Sequence, residues 1–334
     1  MIPSFSRRSI HQIAVFATVI CALSAWTGAA AQSFPSKPIR WIVVAPAGSS
    51  LDAIARSMQD KLKDTLGQPI VIENRPQAGG TLGAGEVAKS VPDGHTWLLG
   101  FNGPVSFAPF LYSKLSYDPA KDLAPVVITT SQPNLIAVNA SLPVSNVAEL
   151  IELMRRNPGK YNYASVGNGS SSHLTMEYLK SLTGTFAVHI PFNGGPPAAL
   201  SIVSGDTQIL ATVPTVIIPQ VKAGRMKALA VTSKSRYSLT PELPPVSQSG
   251  IKELANFEAL AWNGVLVAAG TPRATIDRIN AAVNTAMKDP AVQTRLQTAG
   301  LETVGGTPED FAKLIRDEAT KWAPIIQRSG AKLD

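Results

Sequence analysis

From Ile39 onward, short apolar runs alternate with stretches in which apolar residues recur every third or fourth position. Ile39 to Val44 reads as a buried strand and Pro46 to Ser50 as a turn. Leu51, Ile54, Ala55, Met58 and Leu62 form one face of a helix that Gly67 stops. Ile70-Val71-Ile72 and Thr96 to Leu99 predict further strands, separated by a glycine-rich segment and a Pro92-Asp93-Gly94 turn. The alternation continues with strands at Leu135–Val138, Tyr161–Ser165, Val188–Ile190 and Ala228–Val231, and with helices over about 147–155 and 172–182. A run from Leu260 to Val267 leads into two or three closing helices. The last opens at Thr307-Pro308-Glu309-Asp310, which places a capping hydroxyl, a proline and an acid where a helix start wants them. Strands alternating with helices predict an α/β fold.

Ahead of this pattern stand Arg7 and Arg8, an uncharged apolar run from Ile13 to Trp26, and Ala29-Ala30-Ala31. That order predicts an export signal over residues 1–31, cleaved near Ala31, and a periplasmic mature chain. The apolar run is shorter than the roughly 20 residues that a membrane span requires. Cys21, the single cysteine of the 334 residues, falls inside this leader, and Ile20 before it is not the small residue that lipid modification demands. The mature chain therefore lacks disulfides, thiol catalysis and cysteine metal sites. Its remaining length, about 300 residues, favours two domains. The 45% apolar content excludes a disordered or fibrous protein.

The formal charge of +7 is scattered, with no basic stripe carrying interleaved aromatics, which excludes a nucleic-acid partner. Of His95, His173 and His189, none lies within four residues of another or in a metal-ligand motif with acids, so no metal and no cofactor is expected. Neither a Gly-x-Ser-x-Gly elbow nor a phosphate loop is present, since Tyr163-Ala164-Ser165-Val166-Gly167 lacks the first glycine. No catalytic residue is assigned.

Ser165 to Ser172 (SVGNGSSS) joins a strand to a helix. A serine stands at the third position of the dinucleotide-type glycine pattern, and no acid follows about 20 residues on. Gly167 and Gly169 suit a backbone that turns its amides toward an anion, with the helix N-terminus and the serines adding donors. Pro46 to Asp52 offers a second turn of the same kind. Each segment also reads as an ordinary capped helix start.

Pro38-Ile39-Arg40, Gly48 to Asp52, Glu73-Asn74-Arg75-Pro76, Pro92 to Thr96, Asn157 to Leu174, Pro191 to Gly194 and Ala261 to Gly264 occur in the order found in the Bug family. Across the mature chain the sequence resembles these receptors of tripartite tricarboxylate transporters. The resemblance implies a two-lobed periplasmic binding protein fold of type II, α/β in class, with the ligand cleft between lobes. Lobe 1 would comprise 32–130 plus 261–334, and lobe 2 would comprise 131–260. It implies a small organic carboxylate as ligand, membrane transporter subunits as partners, a monomeric receptor and no enzymatic activity. A membrane sensor protein is the alternative partner, and an exported hydrolase the alternative function.

Carried over by position, Pro46, Ala47, Gly48, Ser49 and Asp52 would line one side of the ligand. Ser165, Asn168, Gly169, Ser170 and Ser171 would line the other, with Asn102, Gly103, Phe192 and Thr212 between them. His173 is expected to be a structural residue of the helix start, and Asp52 reads equally as a first-turn acid without ligand contact. The sequence departs from the family pattern at Ser49, Leu51, Gln77, Thr212 and Gln248. Relatives usually carry glycine at the first, a small polar residue at the second, glycine at the third, often an acid at the fourth and glutamate at the fifth. The departures at Ser49, Leu51 and Thr212 leave the identity of the acid open.

Overall fold

The computed structural model describes residues 34–333, so the expected export signal and Cys21 lie outside the described residues. The first elements are β1 (Ile39–Val43), α1 (Ser50–Leu66), β2 (Ile70–Asn74), α2 (Thr81–Ala88), β3 (Thr96–Phe101) and β4 (Leu123–Pro133). Then come β5 (Leu135–Asn139), α3 (Val147–Arg156), β6 (Asn162–Ser165), α4 (Ser171–Thr183), β7 (Val188–Pro191), α5 (Gly195–Ser204), β8 (Ile209–Thr212), α6 (Pro214–Lys222) and β9 (Met226–Val231). The chain closes with β10 (Leu260–Ala268), α7 (Arg273–Lys288), α8 (Pro290–Thr298), β11 (Thr303–Gly305) and α9 (Pro308–Ser329).

These strands form a six-stranded sheet, ordered β11-β4-β10-β3-β1-β2, and a five-stranded sheet, ordered β7-β6-β8-β5-β9. In the first, β1 runs parallel to β2 and β3, and β10 runs antiparallel to β3 and β4. In the second, β6 runs parallel to β7 and β8, while β5 is antiparallel to β8 and β9. Strands β1 and β6 are each followed directly by a helix, so each sheet carries a turn at the C-terminal end of a parallel strand, where α/β folds build ligand sites.

The chain passes between sheets at Asn134 and returns at Ala259. Thr232 joins the two crossings. Its Oγ1 accepts from Asn134 N–H at 2.8 Å and donates to Ala259 O, and its N–H donates to Asn134 O at 3.0 Å. Both sheets belong to the compact unit Lys37–Asp334.

Under the first sheet Trp41 and Trp97 are buried edge to face, with centroids 5.7 Å apart. The core of the second sheet gathers Ile136, Leu150, Ile151, Met154, Tyr163 and Leu174. Phe107 and Leu111, which follow β3, and Trp322, Ile325 and Ile326 of α9 enter the same core. Nearer its start, α9 sets Phe311 edge to face against Trp262 of β10 at 5.3 Å, so this helix packs on both sheets. Strand β4, with eleven residues, and helices α5 and α6 are absent from the expected elements.

Candidate functional site

The first turn leaves β1 through Val44 and enters α1 at Ser49, whose hydroxyl accepts from Asp52 N–H at 3.3 Å as an N-cap. Gly48 has φ +79° with open space where a Cβ would stand, so backbone conformation rather than crowding calls for glycine here. Its N–H donates to Asp52 Oδ2 at 2.9 Å. Arg56 Nε donates to the same oxygen at 2.9 Å, and Asn74 Nδ2 donates to Oδ1 at 3.1 Å and to Ala45 O at 3.0 Å. Burial opposes ionisation of Asp52, but Arg56, the Gly48 amide and Asn74 together outweigh it and hold the carboxyl below its ordinary range.

Asp52 was expected to line the ligand side. It is 4% exposed, and both of its carboxylate oxygens accept from neighbours: Gly48 of the turn, Arg56 of α1 and Asn74 of β2. Pro46, Ala47 and Gly48 are exposed and Ser49 is half-buried. The amides of Ser50 and Leu51, at the start of a 17-residue helix, have no intrahelical acceptor by position.

The second turn leaves β6 at Ser165 and enters α4 at Ser170. Ser170 Oγ accepts from His173 N–H at 3.2 Å and donates to Gly167 O at 2.6 Å. Asn168 is exposed at the tip, and Ser171 and Ser172 are buried. Ser172 Oγ donates to Ala211 O. Ser171 Oγ accepts from Asn134 Nδ2 at 2.9 Å, which leaves the hydroxyl proton of Ser171 free to point elsewhere.

Gly169 calls for glycine on two grounds, its backbone and its surroundings. Its φ of +70° is left-handed, and a Cβ would also strike Leu111 Cδ1 at 2.7 Å and Leu333 Cδ1 at 2.9 Å. Its N–H donates to His173 Nδ1 at 3.2 Å.

Sheet pairing collects the other expected residues into two groups. Phe192 N–H donates to Ser165 O at 3.0 Å, and Gly194 N–H donates to Val166 O at 3.3 Å. Ser172 bonds the carbonyl beside Thr212, which is 1% exposed at the end of β8 opposite Leu135. On the first sheet, Asn102 is buried at the end of β3, and its Nδ2 donates to Leu260 O at 3.1 Å. Gly103 opens a π-helical turn, where a Cβ would stand 2.4 Å from the Phe101 ring. Among the described residues no hydrogen bond joins the 46–52 segment to the 165–172 segment, so the two turns are built separately, one on each sheet.

Three supporting residues escaped the sequence reading: Asn74, Asn134 and His189. Asn74 lies in the Glu73-to-Pro76 stretch, a visible signal. Asn134 and His189 sit on apolar runs and carry none.

The two α/β sheets share the fold of solved periplasmic binding proteins, and here each carries a serine-capped strand-to-helix turn. The chain matches the family described as "Tripartite tricarboxylate transporter family receptor" over residues 54–331, and it belongs to that family, which includes the Bug proteins. It is a solute-binding receptor of the tripartite transporter type, from a family of receptors rather than enzymes. A UPF0065 protein encoded in the tcbD-tcbE intergenic region of Pseudomonas sp. strain P51 is 36% identical over 294 residues, covering 88% of this chain and 87% of its own length. An R. palustris protein solved with adipate superposes with a TM-score of 0.80 at 29% identity, covering 90% of this chain and 99% of its own. MatC from Rhodopseudomonas palustris, solved with bound malate, superposes at 0.77 with 31% identity, covering 88% and 100%.

Proposed function

We propose that this receptor captures a small organic carboxylate between two lobes, residues 32–130 plus 261–334 and residues 131–260, and delivers it to the membrane subunits of its transporter. The observation that carries this reading is the pair of turns at 46–52 and 165–172. Each sets a left-handed glycine ahead of a serine-capped helix, in a family whose structural neighbours include proteins solved with adipate and malate. The donors would be the first-turn amides of α1 and α4 with the Ser171 hydroxyl. Asn168, Asn102, Phe192 and Thr212 would shape the remainder of the pocket. The side chains assigned to the pocket supply no cation, so dipoles rather than ion pairs would hold the acid.

Asp52 acts in this scheme by fixing the Gly48 turn. With its charge neutralised by Arg56, it leaves a ligand ammonium group without a counter-charge. A carboxylate lacking an amino group is therefore favoured over aspartate or glutamate. The protein acts as a monomer in the periplasm after cleavage near Ala31, and it performs no chemistry on its ligand.

A thermal-shift screen tests the reading. At a hundredfold excess over the dissociation constant, a ligand that binds only the folded state adds about 2.7 kcal/mol to its stability. Malate, succinate or adipate should raise the melting temperature, and the acid should be recovered unchanged. A shift with neutral sugars alone refutes the carboxylate reading. Retention of the protein by a sensor domain rather than by the transporter subunits would favour the sensor role.

A further inference from the structure

Behind the second turn lies a stack of rings. His173 of α4 and His189 of β7 are parallel, with centroids 3.9 Å apart and planes 6° from parallel. The Tyr163 ring of β6 lies nearly parallel beside them, 4.8 Å from His189 and 6.4 Å from His173. Each imidazole touches a different point of the turn. His189 Nε2 lies 2.7 Å from Ser165 Oγ, where the turn begins, and His173 Nδ1 accepts from Gly169 N–H, at its middle. Ser165 is fully buried, and its hydroxyl also exchanges 3.2 Å bonds with the amide and carbonyl of Gly167. The two rings thus hold the segment at Ser165 and Gly169, and Ser165 in turn bonds Gly167.

We propose that His173 and His189 are positioning residues of the ligand turn, acting as neutral imidazoles that hold Gly169 and Ser165 so that the first turn of α4 faces the ligand. This rests on the reading of that turn as the carboxylate site. A nitrogen that accepts a backbone N–H carries no proton, which assigns His173 the tautomer with hydrogen on Nε2. An imidazolium there would lose the Gly169 bond.

The surroundings keep both rings neutral. Burial, then the Lys180 charge, lowers His173 to about 4. Burial, then His173, lowers His189 to about 3, with Glu177 opposing and Lys180 adding to the effect. Tyr163 hydroxyl donates to Glu177, which also pairs with Lys180 at 2.6 Å, and the Lys180 ammonium lies 5.0 Å from the centre of the Tyr163 ring. The charged groups near the stack thus pair with each other and leave the imidazoles as hydrogen-bonding parts.

His173→Phe and His189→Phe keep a flat ring in the stack and remove the nitrogen. His173→Asn and His189→Gln restore a polar atom near Nδ1 and Nε2. The expected result is a loss of malate or adipate affinity of about tenfold or more in each phenylalanine variant, the scale of one directed hydrogen bond, with recovery in the amide variants. Exchange of the Gly169 amide should rise at least about tenfold in His173→Phe, a readout that needs no ligand. Phenylalanine variants that bind malate and adipate like the parent, with Gly169 exchange unchanged, overturn the proposal. Should the parent bind neither acid, the ligand reading fails while Gly169 exchange still decides the positioning role. Should a phenylalanine variant not fold, nitrogen NMR of the parent at neutral pH decides: an unprotonated His173 Nδ1 supports the proposal, and a protonated one overturns it.

Discussion

Asn134 Nδ2 donates to Ser171 Oγ at 2.9 Å, and through that bond the crossing between the two sheets grips the first turn of α4. The same amide donates to Thr175 Oγ1 at 2.8 Å one turn further along, while the Asn134 backbone is bonded to Thr232 of the other crossing. Asn134 is 1% exposed, so its side chain's bonds to Ser171 and Thr175 would not be replaced by water when the amide is removed. Asn134→Leu should therefore cost about 1–3 kcal/mol of stability, the penalty of unpaired buried hydroxyls, and should weaken carboxylate binding as Ser171 turns back toward its own helix. Urea denaturation and calorimetric titration measure the two effects. A variant with unchanged affinity would remove Ser171 from the ligand's donors.

Gly48 and Gly169 both have left-handed backbones but different surroundings. At Gly48 a Cβ meets nothing within 4 Å, whereas at Gly169 it meets Leu111 and Leu333 below 3.0 Å. Gly48→Ala should cost about 1 kcal/mol, the conformational penalty alone. Gly169→Ala should cost more, about 2–4 kcal/mol, because leucine side chains must also move. Equal midpoints and slopes for the two variants in urea would contradict this ordering.

The Asp52 carboxyl predicts a pH dependence. Its folded value is held below the ordinary 3.8, so its stabilising contribution is fully present above that value and is lost as pH falls through the lower folded one. Asp52→Asn should lower stability by about 1–2 kcal/mol at pH 7, a figure kept small because Arg56 is half-exposed. The gap between parent and variant should narrow below pH 3.8. A gap that stays constant from neutral pH to acid would mean that the ion pair contributes nothing.

Ligand choice follows from the same saturated acid. An ammonium group buried without a counter-charge costs several kcal/mol, enough to weaken binding by a hundredfold or more. Thr212, where relatives often place an acid, supplies none. Calorimetric titration should rank malate or succinate above aspartate and glutamate. The reverse order would place a counter-charge in the pocket that neither Asp52 nor Thr212 accounts for.

What the sequence determined by itself is local. Ser49, Ser170 and Thr307 cap helices because a short side chain reaches the amide two or three residues ahead, whatever the rest of the chain does. Gly67 stops α1 in a left-handed conformation for a reason equally contained in the nearby backbone. The two turns were legible on these grounds, and the family resemblance ordered them. Helices α5 and α6 escaped notice, although Pro196, Pro197 and Pro214 stand in first turns, where a proline removes only an amide that has no helical partner; Pro219 lies inside α6 and is tolerated there. Strand β4 escaped because it pairs along its length with β10, more than a hundred residues away, and little of its own pattern marks its ends.

Only the tertiary structure decided which polar groups remain available. The sequence offered Asp52 both as a ligand contact and as a first-turn acid, and only the tertiary structure brought Asn74 and Arg56 to its carboxylate. His173 and His189, sixteen residues apart, meet because β6 pairs with β7 in the register Tyr163 opposite His189 while α4 folds back over the sheet. No spacing rule along one strand or helix contains that meeting, since it depends on two elements packing against a third.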